Sequence, residues 1–270
     1  MIQLIFFILM GAIQGFTEPL PISSSGHITI FKAIINTPFF NNLDYLVLLN
    51  FASFLAILII YYKDVKIIIV DTFKYLFNKN KKDTKPSFNY AILLITSSIP
   101  TFFCALLFRK IINNSLTNLH ILIISFFITA IILIIASFKN GSKKINEISK
   151  VKALLIGLFQ SIALLPGISR SGMVLSGLLL LNIKKEDAIK YTFFLYFPVS
   201  IASFFLEVLT FIKNPISKPL LTLYGISFLV TFITTWLAYR YLIKIVQNNK
   251  LWYFSIYCVL LSIFLIIYFH

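Results

Sequence analysis

Long apolar runs alternate with short basic connectors along most of the chain. A helix needs roughly 20 apolar residues to cross the hydrocarbon of a bilayer, and six of the runs come close to that length. They lie at 45–62, 89–108, 118–138, 190–212, 219–240 and 251–269. The pattern therefore predicts an all-α polytopic membrane protein with about six transmembrane helices.

Two other apolar stretches, about 2–40 and about 153–182, are interrupted by prolines, glycines and hydroxyl residues. The second stretch has only about thirty residues, too few for two full spans, and both of its ends meet basic connectors. We expect it to form a re-entrant hairpin of two short helices. Irregular backbone at membrane depth is stable only where protein or water surrounds it, so the hairpin tip should line a polar cavity.

The two interrupted stretches also resemble each other. Five residues of QGFTEPLPISSSGH recur 146 positions later in QSIALLPGISRSGM, and they are Gln14, Ile22, Ser23, Ser25 and Gly26. Segment 45–62 and its counterpart 190–212 must cross in opposite directions. We therefore predict one integral membrane domain, 1–270, built as an inverted repeat with halves 1–138 and 153–270. Such repeats place their sites near the membrane midplane.

The charge distribution indicates orientation in a membrane. The chain is 59% hydrophobic, and 24 Lys and Arg against 9 Asp and Glu give a formal net charge of +15. Most lysines fall in connectors, chiefly 63–85 and 139–152, that can share one side of the membrane. Basic loops stay on the cytoplasmic side of a membrane, so the excess of Lys and Arg predicts the topology. We expect no nucleic acid partner.

The hairpin tips carry the candidate chemistry. Arg170 would be costly in hydrocarbon unless it met an acid or a bound anion, and Glu18 is the acid of the other tip. Arginine forks match phosphate oxygens, and Ser/Gly turns before helices bind anions. The predicted phosphate-binding residues are Ser23, Ser25, Gly26, Gly167, Ser169, Ser171 and Gly172. The plainer alternatives are a structural Glu18–Arg170 pair and small residues that only pack helices.

The stretches GAIQGFTEPLPISSSGH and LLPGISRSG, in this order, resemble the two signature stretches of bacterial undecaprenyl-diphosphate phosphatases. The resemblance implies an enzyme that hydrolyses undecaprenyl diphosphate to undecaprenyl phosphate and inorganic phosphate. This reaction recycles the lipid carrier of cell-wall precursors and confers bacitracin resistance. The resemblance also implies a divalent cation, Mg²⁺ or Ca²⁺, and a site in the bacterial cytoplasmic (inner) membrane that opens to the outer face.

The same resemblance implies roles for four residues. Ser24 would be the nucleophile with His27 as its base, or His27 would attack phosphorus itself. Arg170 would hold the diphosphate, and Glu18 would bind the cation or orient His27. Many relatives have a second glutamate where this chain has Gln14, so Gln14 and Glu18 are the expected metal ligands. The expected partners are the polyprenyl diphosphate lipid and the bilayer, and a homodimer is left open.

A different class of function shares several of these features. Inverted repeats and broken helices are typical of transporters, so a transporter or flippase of polyprenyl phosphate lipids is the alternative. A phosphatase needs a nucleophile and releases phosphate in detergent, whereas a transporter needs only reversible binding and a sealed compartment.

Overall fold

Helices make up most of the computed structural model, which describes residues 2–35, 43–77, 82–108, 110–112, 118–213 and 217–269, without the side chains of 43, 44, 206, 207 and 209–213. The helices are α1 (Ile2–Thr17), α2 (Ser24–Ile35), α3 (Leu43–Ile60), α4 (Tyr62–Phe77), α5 (Lys85–Leu107), α6 (Leu119–Ser137), α7 (Lys150–Ile162), α8 (Arg170–Leu180), α9 (Lys185–Lys213), α10 (Lys218–Gln247) and α11 (Trp252–Phe269). A 3₁₀ turn at Ile145–Glu147 precedes α7.

Within the described residues, five helices are long and apolar enough to cross a membrane. They are α5, α6, α9 over Lys185–Phe205, α10 and α11. A sixth span is reached if the bent pair α3 and α4 counts as one. These helices cover the six predicted runs, which confirms an all-α polytopic membrane protein.

One predicted connector is helical, and this part of the prediction was wrong. Residues 62–77 form α4, which leaves α3 at an angle of 82°. Its lysines suggested a solvated connector, but they alternate with apolar residues in the pattern of an amphipathic helix. Val65 and Ile68 of α4 pack against the core, whereas Phe73 and Phe77 are exposed. A helix with this distribution suits the surface of a bilayer.

The two interrupted stretches form pairs of short helices. Helices α1 and α2 have 16 and 12 residues, and α7 and α8 have 13 and 11. At a rise of about 1.5 Å per residue, none reaches the roughly 30 Å of a hydrocarbon core. Their lengths therefore agree with the predicted re-entrant hairpins. Residues 36–40 of the first predicted hairpin lie outside the described part of the chain.

Each hairpin is held by a long helix of the opposite half. Helix α1 packs chiefly on α10, and α7 packs on α5. The Ser227 hydroxyl of α10 donates to the Phe7 carbonyl at 2.7 Å, and the Ser97 hydroxyl of α5 donates to the Ala153 carbonyl at 2.8 Å. Phe7 and Ala153 are separated by the 146 positions of the repeat.

In a second pair of hydrogen bonds, the accepting residues are again 146 positions apart. Thr231 donates to the Gly11 carbonyl at 3.0 Å, and Thr101 donates to the Gly157 carbonyl at 3.2 Å. A Cβ on Gly157 would lie only 2.3 Å from the Ser97 carbonyl oxygen, so the close approach of α7 to α5 requires glycine. An inverted repeat predicts such matched contacts. The boundaries 1–138 and 153–270 stay a prediction.

Candidate active site

The two hairpin tips meet at a polar cavity of about 240 Å³. Helices α3, α5, α7 and α9 complete its walls. The lining residues are Glu18, Leu20, Ser23, Ser24, Ser25, Asn50, Thr101, Gln160, Ala163, Leu164, Ile168, Ser169, Arg170, Ser171 and Val199. This arrangement agrees with the prediction that a hairpin tip lines a polar cavity.

Glu18 joins the two tips through its carboxylate. Its Oε1 accepts a hydrogen bond from Nη2 of Arg170, and its Oε2 accepts one from the Ser24 hydroxyl. Gln14, one helical turn earlier, also donates from Nε2 to Oε2 at 3.0 Å. A charge buried to this degree is stable only when it is paired and hydrogen-bonded. The carboxylate therefore fixes a hydroxyl of one hairpin and a guanidinium of the other in one place.

Arg170 is the first residue of α8 and stacks on a ring of α9. Its Cζ lies 3.9 Å from the centroid of the Tyr196 ring. This contact and the ion pair with Glu18 hold the guanidinium plane, while 27% of the side chain remains accessible. The next residue, Ser171, donates to the Leu20 carbonyl of the first tip at 3.2 Å. The Arg170 guanidinium can therefore bind an anion in the cavity while it stays stacked on Tyr196.

Serines cap the two helices that begin at the tips. The Ser169 hydroxyl accepts from the backbone N–H of Gly172 at 3.1 Å, and the Ser23 hydroxyl accepts from that of Gly26 at 3.3 Å. Ser23 has a φ of 67°, which is uncommon for a residue with a side chain. These caps start α2 and α8 beside the cavity, where the positive ends of the helix dipoles favour an anion.

Seven of the predicted site residues line the cavity and five do not. The lining residues are Glu18, Ser23, Ser24, Ser25, Ser169, Arg170 and Ser171, and the others are Gln14, Gly26, His27, Gly167 and Gly172. A Cβ on Gly26 would lie 2.6 Å from the Phe126 ring. Gly167 has a φ of +88° and its carbonyl accepts from Thr129 at 3.0 Å. These glycines therefore shape the tips behind the cavity surface.

His27 lies on α2 but makes its contacts away from Ser24. Its Nδ1 lies 2.7 Å from the Ser23 carbonyl oxygen and its Nε2 lies 2.6 Å from the Tyr257 hydroxyl. Because a carbonyl oxygen only accepts, Nδ1 donates, and in the neutral ring Nε2 accepts from Tyr257. The ring also stacks on that of Tyr257, with centroids 5.6 Å apart. In this arrangement the Ser24 proton faces Glu18.

The tips offer a single carboxylate, that of Glu18, as a ligand for a divalent cation. Within the described residues there is no group of three His, Cys, Asp or Glu side chains that could hold a metal alone. Mg²⁺, however, is commonly bound by one or two carboxylates with substrate phosphates and water. Glu18 supplies one carboxylate. Gln14 directs its amide nitrogen at Glu18 and, at 3.0 Å, at Oδ1 of Asn50.

Four residues of the cavity and tips, Gln160, Thr101, Tyr196 and Asn50, were not among the predicted site residues. Gln160 donates to Thr101 at 2.9 Å, and its Oε1 is buried without a hydrogen-bond partner among the described residues. The Tyr196 hydroxyl donates to the Asn50 carbonyl at 2.7 Å. The repeat offset could have indicated three of them, since Gln160 matches Gln14 and Tyr196 matches Asn50. No sequence signal marks Thr101.

Comparison with known proteins identifies relatives along nearly the whole chain. The family model described as bacitracin resistance protein BacA matches residues 7–264. A protein of Bacillus thuringiensis (strain Al Hakam) named undecaprenyl-diphosphatase 2 is 34% identical over 262 residues, 97% of this chain and 96% of its own. Undecaprenyl-diphosphatase of Oceanobacillus iheyensis is 33% identical over 98% of this chain and 96% of its own. The chain therefore belongs to the bacitracin resistance protein BacA family.

Proposed function

We propose that this protein hydrolyses undecaprenyl diphosphate to undecaprenyl phosphate and inorganic phosphate. The observation that carries the proposal is the Glu18 carboxylate, which binds Ser24 of one tip and Arg170 of the other in a single polar cavity. The names of the relatives support the same reaction. Removing the diphosphate that bacitracin captures would give resistance and would return the lipid carrier to cell-wall synthesis.

In this proposal Arg170 receives the diphosphate. Its guanidinium presents a planar set of donors that matches phosphate oxygens, and the Tyr196 ring keeps the plane in position. The N-termini of α2 and α8 add to the positive potential. Because the diphosphate competes with Glu18 for Arg170, binding of the substrate leaves the Glu18 carboxylate free to accept a proton.

Ser24 is then the nucleophile and Glu18 its base. The Ser24 oxygen forms a bond to the terminal phosphorus while the anhydride bond breaks, and undecaprenyl phosphate leaves. The hydroxyl proton passes to Glu18. Water then breaks the serine–phosphorus bond, inorganic phosphate leaves, and Ser24 regains a proton. His27, bound to Ser23 and Tyr257, acts here by holding the turn that carries Ser24.

The proposal includes a divalent cation, Mg²⁺ or Ca²⁺. Oε1 of Glu18, which loses Arg170 to the diphosphate, would hold it together with oxygens of the diphosphate, while Oε2 stays beside Ser24. Gln14 and Asn50 lie next to that carboxylate. When bound, the cation would neutralise charge on the diphosphate as the anhydride bond breaks.

We also propose the location and orientation of the site. The protein would lie in the bacterial cytoplasmic membrane with the cavity open to the outer face. The lysine-rich connectors support this orientation, because they would stay on the cytoplasmic side. A homodimer stays a prediction.

Phosphate release from undecaprenyl diphosphate by the purified protein in detergent tests the function. We expect release with Mg²⁺ or Ca²⁺ and its loss after chelation. A folded protein that binds undecaprenyl phosphate but releases no phosphate under either cation would overturn the proposal and favour the transporter alternative.

A further inference from the structure

An apolar groove of about 530 Å³ runs between the end of α5 and the end of α7. Its volume falls in the range of about 300–1,000 Å³ that is usual for pockets that hold small molecules. The groove is lined by Cys104, Phe108, Ile111, Ile112, Leu158, Ser161, Ile162, Leu164 and Leu165. Apart from one thiol and one hydroxyl, these side chains offer only hydrocarbon to an occupant.

The sequence spacing explains why the groove is continuous. Ser161 and Ile162 lie three and four residues after Leu158 on one face of α7, and Leu165 follows in the turn after the helix. Ser161 donates to the Gly157 carbonyl at 2.8 Å, which satisfies the groove's hydroxyl within the helix. An apolar occupant of the groove therefore leaves this hydroxyl with its hydrogen bond.

The groove shares a wall with the polar cavity. Leu164, in the turn that leads from α7 to the second tip, lines both spaces. A polar cavity that holds a charged group and an adjacent apolar groove match the two ends of one amphipathic lipid.

We propose that this groove binds the prenyl units next to the diphosphate, while the remainder of the tail extends into the bilayer. The inference rests on the proposed function, since it takes the polyprenyl diphosphate as substrate. In this proposal the groove prefers the substrate tail to the acyl chain of a bulk phospholipid.

Cys104 allows a test that does not depend on catalysis. It lines the groove and is half-buried, whereas Cys258 is buried, so mass spectrometry of N-ethylmaleimide-treated protein can follow the two thiols separately. We expect undecaprenyl phosphate to slow labelling of Cys104 at concentrations where inorganic phosphate and phosphatidylglycerol do not. Equal protection by phosphatidylglycerol, or no protection by bound undecaprenyl phosphate, would overturn the proposal.

A second test uses chain length. Ile162→Trp fills the groove, and Val151→Trp adds the same ring on the exposed face of α7, about 16 Å away along the helix. Ile162→Trp should lower kcat/KM for undecaprenyl diphosphate at least about tenfold. It should leave kcat/KM for methyl diphosphate, which has no prenyl unit, within about twofold.

The outcomes separate the groove from the reaction. Equal losses on both substrates, or equal losses in the two tryptophan variants, would contradict the groove assignment while the hydrolysis itself stands. Absence of hydrolysis by the wild-type protein would contradict the proposed function, and protection of Cys104 by undecaprenyl phosphate would still support tail binding.

Discussion

Arg170 of the second hairpin tip donates to the carboxylate of Glu18 in the first, although the two residues are 152 positions apart. Each alone would be an expensive charge at membrane depth. Paired beside the Ser24 hydroxyl, they bring a carboxylate base, an anion-binding guanidinium and a candidate nucleophile into one cavity.

Ser24 and Ser25 are adjacent hydroxyls of the same cavity with different contacts. Ser24 donates to Glu18, whereas Ser25 lies 3.3 Å from the Ser23 hydroxyl. Ser24→Ala should lower the rate of phosphate release about 1,000-fold or more, because it removes the nucleophile. Ser25→Ala should stay within about tenfold of wild type, since it alters only the anion-binding surface. Similar losses in the two variants would argue against Ser24 as nucleophile.

Arg170→Lys keeps the charge but loses the planar guanidinium stacked on Tyr196. We expect kcat/KM to fall about 100-fold, because an ammonium cannot present the same donors to a diphosphate. Arg240→Lys is the matched control, since Arg240 also stacks on an aromatic ring, 3.7 Å from the centroid of Trp236, and lies outside the cavity lining. A steady-state assay in which both variants retain full activity would contradict the role assigned to Arg170.

Gly157→Ala tests the packing of the second hairpin. The added Cβ would lie 2.3 Å from the Ser97 carbonyl oxygen and must push α7 from α5, at a cost of about 1–3 kcal/mol. Thermal unfolding in detergent should show a lower Tm. Gly225→Ala meets nothing within 4 Å, so its Tm should be unchanged or raised. An undiminished Tm for Gly157→Ala would contradict the close approach.

The sequence was sufficient for the elements whose pattern is local. Apolar runs predicted the spans, and the matching serine motifs predicted that both tips belong to polar surroundings. The α4 helix was missed because its lysines marked the segment as a connector, although its apolar residues recur with a helical period. The contacts of His27 with Tyr257 and of Gln160 with Thr101 depend on how distant helices pack, and no local pattern encodes that packing.

Gln14→Glu would place a second carboxylate beside Glu18, where the amide now donates at 3.0 Å. Two carboxylates this close repel each other, and a divalent cation between them removes the repulsion. We expect the Mg²⁺ concentration for half-maximal activity to fall several-fold and the Tm under chelation to fall as well.

Gln14→Met provides the comparison for that variant, because it removes both amide hydrogen bonds and adds no charge. Its half-maximal Mg²⁺ concentration should remain close to that of wild type. A Gln14→Glu protein whose Mg²⁺ response matches that of Gln14→Met would rule out a cation held at Glu18.

The most direct test of one site built from two hairpins is a double-mutant cycle across the tips. Phosphate release would be measured for wild type, Glu18→Gln, Arg170→Lys and the double variant under saturating Mg²⁺. If the two residues act as a unit, the double variant should lose little more activity than the weaker of the two single variants. Losses that multiply would mean that Glu18 and Arg170 act independently, and would contradict the shared site.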